Sequence, residues 1–149
     1  MIGCLRINWH GKLQTQDAKR DWGHAKDYVY AMWLLLQQEQ PQDYVIASNE
    51  TRTVREFVET AFRCLDIIIV WEGEGIHEVG KNQADGKVLV KVNPEFFRPA
   101  EVELLWGNPA RAETELGWER KISFENLVER MAASDMKLVE RERQIKNYR

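Results

Sequence analysis

The feature that most constrains the fold of this 149-residue chain is a segment that is nearly all apolar. It lies between Tyr28 and Leu36, follows Ala25, and gives way to polar residues before Pro41. A residue before a proline is disfavoured in the helical region, and a helix with apolar side chains on most faces is buried on most of them. The segment therefore predicts a helix from Ala25 to Leu36 that other parts of a fold must cover.

The remaining pattern alternates helices and strands. Thr53 and Glu56 have the spacing of a capping box, and the apolar residues after them recur at intervals of three and four, which predicts an amphipathic helix. The β-branched run Ile67–Trp71 predicts a strand. Further predicted elements are strands at Tyr44–Ala47 and Val88–Val92, a helix begun by Asn108 and Pro109 and closed by Gly117, and a last helix from Ser123. This order predicts an α/β fold, with α+β as the alternative.

The length and composition are those of one globular domain, or of two subdomains at most. A hydrophobic content of 44% with only 9 glycines and 4 prolines argues against disorder. The net charge is -3, and the basic residues are interleaved with acidic ones instead of clustered. Such a surface supplies no basic field for a polyanion, so we expect no nucleic-acid partner.

The cysteine content and the hydropathy of the chain indicate the cellular compartment in which it is expected. Cys4 and Cys64 form no metal or redox motif, and two lone cysteines give no disulfide framework. No apolar run approaches the roughly 18 residues that a membrane span needs, and Met1–Arg6 is too short for the apolar core of a signal peptide. We expect a cytoplasmic protein without a bound metal or a membrane partner.

Two arginines stand in short, stiff, aromatic-rich segments. Arg20 lies in Asp17–Val29, and Arg98 lies in Asn93–Val102, next to Pro99. A planar guanidinium holds phosphate oxygens through two parallel hydrogen bonds, and a neighbouring proline lowers the entropy lost on fixing it. Two such groups brought together would suit a diphosphate. The alternative is that each arginine makes an ordinary surface ion pair.

The segments around these arginines resemble a known family. Five segments have the order and spacing of the C-terminal part of GDP-mannose 4,6-dehydratase: Asp17–Met32, Val54–Val58, Ile69–Gly73, Phe97–Val102 and Leu116–Trp118. That family is an NADP-dependent branch of the extended short-chain dehydrogenases. Its members are lyases of GDP-fucose biosynthesis that convert GDP-mannose to GDP-4-keto-6-deoxymannose and water.

The resemblance covers most of this chain but well under half of the usual enzyme. It divides the sequence into an unmatched segment, 1–12, a dehydratase-like region that binds substrate, 13–138, and a charged tail, 139–149. The nucleotide-binding Rossmann half of the family has no counterpart in this division, so the resemblance implies a truncated chain.

The resemblance also implies a set of substrate contacts. In the proteins that this chain is similar to, the arginines at the positions of Arg20 and Arg98 contact GDP-mannose, mainly its diphosphate. The glutamate at the position of Glu101 contacts a ribose hydroxyl, which a carboxylate can accept as a hydrogen bond. Lys19 is a weaker candidate. The tryptophans at 22, 71, 106 and 118 are expected in the core, because tryptophan is heavily buried on average, and no residue is assigned to guanine.

The residues for hydride transfer are missing. The catalytic tyrosine of the superfamily is followed four positions later by lysine, whereas the residues four positions after Tyr28, Tyr30 and Tyr44 are Met32, Leu34 and Ser48, and Tyr148 has no such residue. The segment Gly73–Glu78 imitates a dinucleotide fingerprint, but it ends in glutamate and no amphipathic helix follows. We therefore predict no catalytic residue, and no binding of NADP by this chain alone.

Three functional hypotheses remain. The first is the part of a GDP-mannose 4,6-dehydratase that binds the sugar nucleotide, inactive by itself. The second is a non-catalytic interaction module that associates with a full-length dehydratase. The third is a fragment of a related sugar-nucleotide epimerase or dehydratase. Under the first two, the apolar helix Ala25–Leu36 loses the surface that covers it in the family, which predicts self-association.

Overall fold

The computed structural model describes residues 17–94 and 104–147. Its helices are α1 (Ala25–Leu36), α2 (Val54–Arg63), α3 (Ala110–Leu116) and α4 (Phe124–Asn147), and its strands are β1 (Lys19–Arg20), β2 (Arg52–Thr53), β3 (Ile69–Glu72), β4 (Val79–Asn82) and β5 (Val88–Lys91). This mixture of helix and sheet confirms the predicted fold class.

The strands form two small antiparallel sheets. β3, β4 and β5 pair in chain order, and β1 pairs with β2 so that Lys19 faces Thr53 and Arg20 faces Arg52. Leu104 adds a parallel bridge to Lys19. β4 was not among the strands predicted from the sequence. Its central Gly80 is required by close packing, because a Cβ there would lie 2.9 Å from the ring of Trp71.

Two apolar clusters pack the helices in pairs. One joins α1 to α3 through buried Ala31, Ala112, Leu116 and Trp118. The other joins α2 to α4 through Phe57, Phe124 and Val128, with Trp22 and Ala61 packed against it. The Trp22 residue brings the second cluster to the end of β1.

Helix α1 has the predicted bounds but is only partly covered. Within the described residues, Asp27 and Ala31 are its buried members. Val29, Met32, Trp33 and Leu36 have exposed fractions of 61%, 60%, 54% and 81%. One side of the helix therefore packs on α3, and the other side is an exposed apolar face.

The predicted strand at Tyr44–Ala47 is wrong. The segment has no strand assignment, and it joins neither of the two sheets among the described residues. A strand needs a neighbour to receive its backbone hydrogen bonds. Val45 is 54% exposed, whereas Tyr44 and Ile46 pack against the cluster that contains Trp118. The side chains of this segment therefore alternate between exposed and packed positions, as in a strand. The segment nevertheless forms no ladder of backbone hydrogen bonds with either sheet of the described residues.

The predicted capping box of α2 and the glycine end of α3 are confirmed, whereas α3 begins one residue later than predicted, with Pro109 as its N-cap. Thr53 Oγ1 accepts the Glu56 N–H at 3.0 Å, and Glu56 Oε2 accepts the Thr53 N–H at 2.6 Å. Asn108 Oδ1 accepts the Ala110 N–H at the start of α3, and Gly117 ends that helix at φ 63. None of the helices in the described ranges is long and apolar enough to cross a membrane.

Candidate functional site

Of the three residues assigned to the substrate, Arg20, Arg98 and Glu101, the structure describes Arg20. It is half-buried at the end of β1, and its Nη1 donates to the main-chain oxygen of Lys19 at 2.8 Å. Arg98 and Glu101 lie outside the described residues. Lys19, the weaker candidate, is exposed and bridges to Leu104. The bridge connects β1 with the chain that follows the Phe97–Val102 segment.

Asp21 fixes the backbone immediately after Arg20. Its Oδ2 accepts the Ser48 N–H at 2.7 Å, and its Oδ1 accepts the Tyr28 hydroxyl at 3.4 Å. Burial, followed by the negative charge of Asp21, raises the pKa of Tyr28 above its ordinary value. The carboxylate therefore joins three parts of the chain, namely β1, α1 and the loop before β2.

Trp22 and Gly23 continue this anchored segment. The Trp22 Nε1–H donates to the Arg52 oxygen at 3.0 Å, and its ring stacks on Phe57 with centroids 4.5 Å apart. A Cβ at Gly23 would lie 2.2 Å from the hydroxyl oxygen of Tyr28. Any larger residue there would require the Tyr28 ring to move.

His24 has a structural role. Its Nδ1 accepts the Lys26 N–H at 3.1 Å, and the residue is the N-cap of α1. The segment Asp17–His24 thus passes directly from β1 into a capped helix. Asp21, Trp22 and His24 each make a hydrogen bond that holds the short segment in place.

Arg20 lies directly opposite a second arginine. Side chains that face each other in an antiparallel pair lie on the same face of the sheet, and like charges there repel. The Arg52 guanidinium is surrounded by carboxylates: Glu50 at 2.5 Å, Glu56 at 3.5 Å and Glu125 at 3.6 Å. These contacts offset the charge of Arg52, so Arg20 can be tolerated opposite it.

Glu50 connects this charge cluster to the start of α4. Its Oε2 pairs with Arg120 Nη2 at 2.8 Å, while its Oε1 pairs with Arg52. Burial raises the pKa of Glu50, but the hydrogen bonds from Arg120 and Arg52 outweigh it, and the pKa lies below the ordinary value. The residue is therefore an anion between two cations at neutral pH.

The four tryptophans expected in the core differ in how deeply they are buried. Trp118 is buried in the core as expected, and Trp22 is half-buried against Phe57. Trp71 is half-buried, with its Nε1–H on Glu59, whereas Trp106 is 59% exposed. The expectation of a core position is thus wrong for Trp106, which follows two other exposed apolar residues.

The glycine-rich segment after β3 does not fit a dinucleotide. A short 3-10 turn, Gly75–His77, follows the strand, and β4 follows that turn. Glu78 Oε1 pairs with Arg55 Nη2 at 2.8 Å. Pyrophosphate binding at such a motif requires a helix N-terminus that presents backbone N–H groups. Here the corresponding position holds a carboxylate that precedes a strand.

The chain resembles known proteins in sequence over most of its length. A family profile described as GDP-mannose 4,6 dehydratase matches residues 9–131. GDP-mannose 4,6 dehydratase 2 of Caenorhabditis elegans is 55% identical over 136 residues, which are 91% of this chain and 35% of that protein. The human GDP-mannose 4,6 dehydratase is 49% identical over 127 residues, 85% of this chain and 34% of that protein. The chain therefore spans about a third of the length of these relatives.

The fold also has a match among solved structures. The structure of RMD from Pseudomonas aeruginosa complexed with NADPH aligns with a TM-score of 0.58. The alignment covers 82% of this chain and 34% of that one at 21% sequence identity. At this identity the match shows the fold alone.

Proposed function

Because the chain belongs to the GDP-mannose 4,6-dehydratase family, we propose that it is the part of such an enzyme that binds the sugar nucleotide. In this proposal Arg20 and Arg98 hold the diphosphate of GDP-mannose, and Glu101 accepts a hydrogen bond from a ribose hydroxyl. Guanidinium groups and a carboxylate are the groups that suit these two partners. The protein acts in the cytoplasm, on GDP-mannose or GDP.

The bridge between Lys19 and Leu104 carries the proposal. Glu101 stands three residues before Leu104 in the sequence. Three residues of chain span at most about 11 Å, so the bridge limits how far Glu101 can lie from the strand that holds Arg20. The chain that begins at Leu104, two residues after the Phe97–Val102 segment in the sequence, is therefore bridged to the strand that holds Arg20. This connection supports a shared site for Arg20, Arg98 and Glu101.

We assign the chemical step to residues outside this chain. The sequence has no tyrosine followed four residues later by lysine, and the segment Gly73–Glu78 does not fit a pyrophosphate. In a complete dehydratase, bound NADP would supply the hydride chemistry. The residues of this chain would hold and orient the nucleotide while that happens. The chain alone would therefore convert no GDP-mannose.

The proposal is tested by titrating the purified chain with GDP, GDP-mannose and guanosine in a calorimeter at low salt. GDP and GDP-mannose should bind better than guanosine, because guanosine lacks the diphosphate. Arg20→Ala should weaken GDP binding roughly tenfold to a hundredfold, as expected for loss of a charge-assisted hydrogen bond. Arg63→Ala, which removes an exposed arginine at the end of α2, is the control. Equal binding of GDP and guanosine would contradict the proposal.

A second candidate function is supported by α1. Its exposed apolar face, formed by Val29, Tyr30, Met32, Trp33 and Leu36, is a contact surface of the kind that marks protein interfaces. On this hypothesis the chain is an interaction module that associates with a full-length dehydratase or with itself. It predicts an interface that is insensitive to Arg20→Ala and lost on charging α1, which separates it from nucleotide binding.

A further inference from the structure

We propose that Asp21 is a positioning residue, which fixes the backbone at Arg20 so that the guanidinium is oriented before the nucleotide binds. The inference rests on the proposed function, because the ligand is the diphosphate that Arg20 would hold. It assigns a role to a residue that neither the motif comparison nor the residue chemistry singled out.

Both carboxylate oxygens of Asp21 accept hydrogen bonds from other parts of the chain. Oδ2 accepts the Ser48 N–H at 2.7 Å, which is short for an N–H donor and typical of a charged acceptor. Oδ1 accepts the Tyr28 hydroxyl at 3.4 Å. Both oxygens therefore accept hydrogen bonds from groups other than Arg20. The Asp21 carboxylate therefore links two other parts of the chain, and it is more than a counter-charge for Arg20.

The loop that Asp21 holds is itself fixed. The Ser48 hydroxyl donates to the main-chain oxygen of Glu50 at 3.0 Å. The same hydroxyl oxygen accepts the Glu50 N–H at 3.2 Å. Asn49 between them has a φ of 57, in the left-handed region that asparagine tolerates better than most residues. Glu50 in turn is paired with Arg52 and Arg120. The Asp21 carboxylate therefore joins β1 to a loop that is itself anchored to the body of the fold.

The other side of Arg20 is fixed independently. On its N-terminal side, Lys19 is paired with Thr53 in the β1–β2 ladder, and the Ala18 oxygen accepts the Val54 N–H at 3.3 Å. With Asp21 on Ser48, the backbone is held on both sides of Arg20. A long side chain on a fixed backbone loses less conformational freedom on binding than one on a mobile loop. The consequence is a guanidinium that is ordered in part before the ligand arrives.

The experiment compares Asp21→Ala with Asp21→Asn and with Asp85→Ala in the full chain. The asparagine oxygen can still accept the Ser48 N–H, so this variant should keep the wild-type properties. Asp85 accepts the Lys87 N–H at 3.0 Å in the turn between β4 and β5, so its loss is matched in chemistry but remote from Arg20. Asp21→Ser, whose side chain is too short to replace the carboxylate, is used if the alanine variant does not fold.

Two readouts are taken. The first is calorimetric affinity for GDP, which Asp21→Ala should lower about two- to tenfold, the range expected when one long side chain must be ordered on binding. The second needs no ligand and uses nuclear magnetic resonance. Asp21→Ala should increase hydrogen exchange of the Ser48 amide and lower the heteronuclear Overhauser effect of the Arg20 Nε–H group. Asp85→Ala should change neither.

The outcomes distinguish a failure of the positioning role of Asp21 from a failure of the proposed nucleotide binding by Arg20. If Arg20→Ala weakens GDP binding but Asp21→Ala does not, the positioning role is overturned and the proposed function stands. If Arg20→Ala has no effect on GDP binding, the proposed function is overturned and the inference with it. If the Arg20 Nε–H signal has the same mobility in wild type and Asp21→Ala, the positioning role is overturned whatever the affinity.

Discussion

The indole Nε1–H of Trp118 donates a 2.9 Å hydrogen bond to the main-chain oxygen of Asp27, in the first turn of α1. The Asp27 carboxylate in turn accepts the N–H groups of Lys121 and Ile122, at 3.2 Å and 3.1 Å. Trp118 is 2% exposed and Asp27 is 6% exposed. Together they fasten the start of α1, and with it the end of the Arg20 segment, to the chain that enters α4.

This relationship predicts a large effect of Asp27→Ala on stability. Two backbone donors would lose their partner, and a partly buried donor without a partner costs about 1–3 kcal/mol. Asp27→Asn keeps one acceptor and should cost less. Urea denaturation of both variants provides the free energies of unfolding, with Asp85→Ala as the control for an exposed aspartate that accepts one N–H. If Asp27→Ala and Asp85→Ala destabilise equally, the buried contacts do not have this role.

The capping box of α2 predicts a smaller loss. Thr53→Ala removes the acceptor of the Glu56 N–H and should lower the free energy of unfolding by about 1 kcal/mol. Thr114→Ala is the matched control, since Thr114 is exposed within α3 and alanine has the higher helix propensity. Thermal or urea unfolding that shows no difference between the two variants would refute the prediction.

The ion pairs of Glu50 predict a specific pH dependence. Its pKa in the folded chain lies below the ordinary value of 4.5, because Arg120 and Arg52 favour the charged form more than burial disfavours it. A carboxylate with a depressed folded pKa stabilises the fold above its unfolded pKa, and this contribution is lost as the pH falls through the folded value. The Tm of the wild type should therefore fall below about pH 4.5 more steeply than that of Glu50→Gln. Parallel curves for the two proteins would exclude a role for these pairs in acid stability.

The exposed face of α1 predicts self-association. Met32→Glu places a charge on this face and should shift the chain toward monomer in light scattering at tens of micromolar. Ile145→Glu is the control, because Ile145 on α4 is 62% exposed and Met32 is 60% exposed. A monodisperse wild-type monomer would show that the face needs no partner. Equal loss of association in both variants would place the contact elsewhere.

Local signals predicted much of the fold. The capping box Thr53–Glu56 and the glycine that ends α3 act over three or four residues, and both are visible in the sequence. The two-residue strands β1 and β2 were not predicted, because they depend on pairing between segments about thirty residues apart. The strand predicted at Tyr44–Ala47 failed for the related reason that alternation alone does not supply a neighbour.

In the candidate site, too, local features could be predicted from the sequence and contacts between distant segments could not. Arg20 was predicted as a substrate contact from its residue type and its motif, and that role stays a prediction. The tertiary contacts that the structure shows beside Arg20 are not visible in the sequence. Asp21 meets Ser48 across 27 residues, and Trp22 meets the Arg52 oxygen across 30. An aspartate beside an arginine is typical of a surface ion pair, so only tertiary contacts distinguish the anchoring role.

The central claim, that Arg20 and Arg98 hold one diphosphate, is tested most directly by a double-mutant cycle. The free energy of GDP binding is measured by calorimetry for the wild type, Arg20→Ala, Arg98→Ala and the double variant, at one salt concentration. Residues that contact the same ligand group are coupled, whereas independent sites are additive to within about 0.5 kcal/mol. The account predicts that the two losses are not additive by more than this margin. Additive losses, or no loss on Arg98→Ala, would contradict a shared diphosphate site.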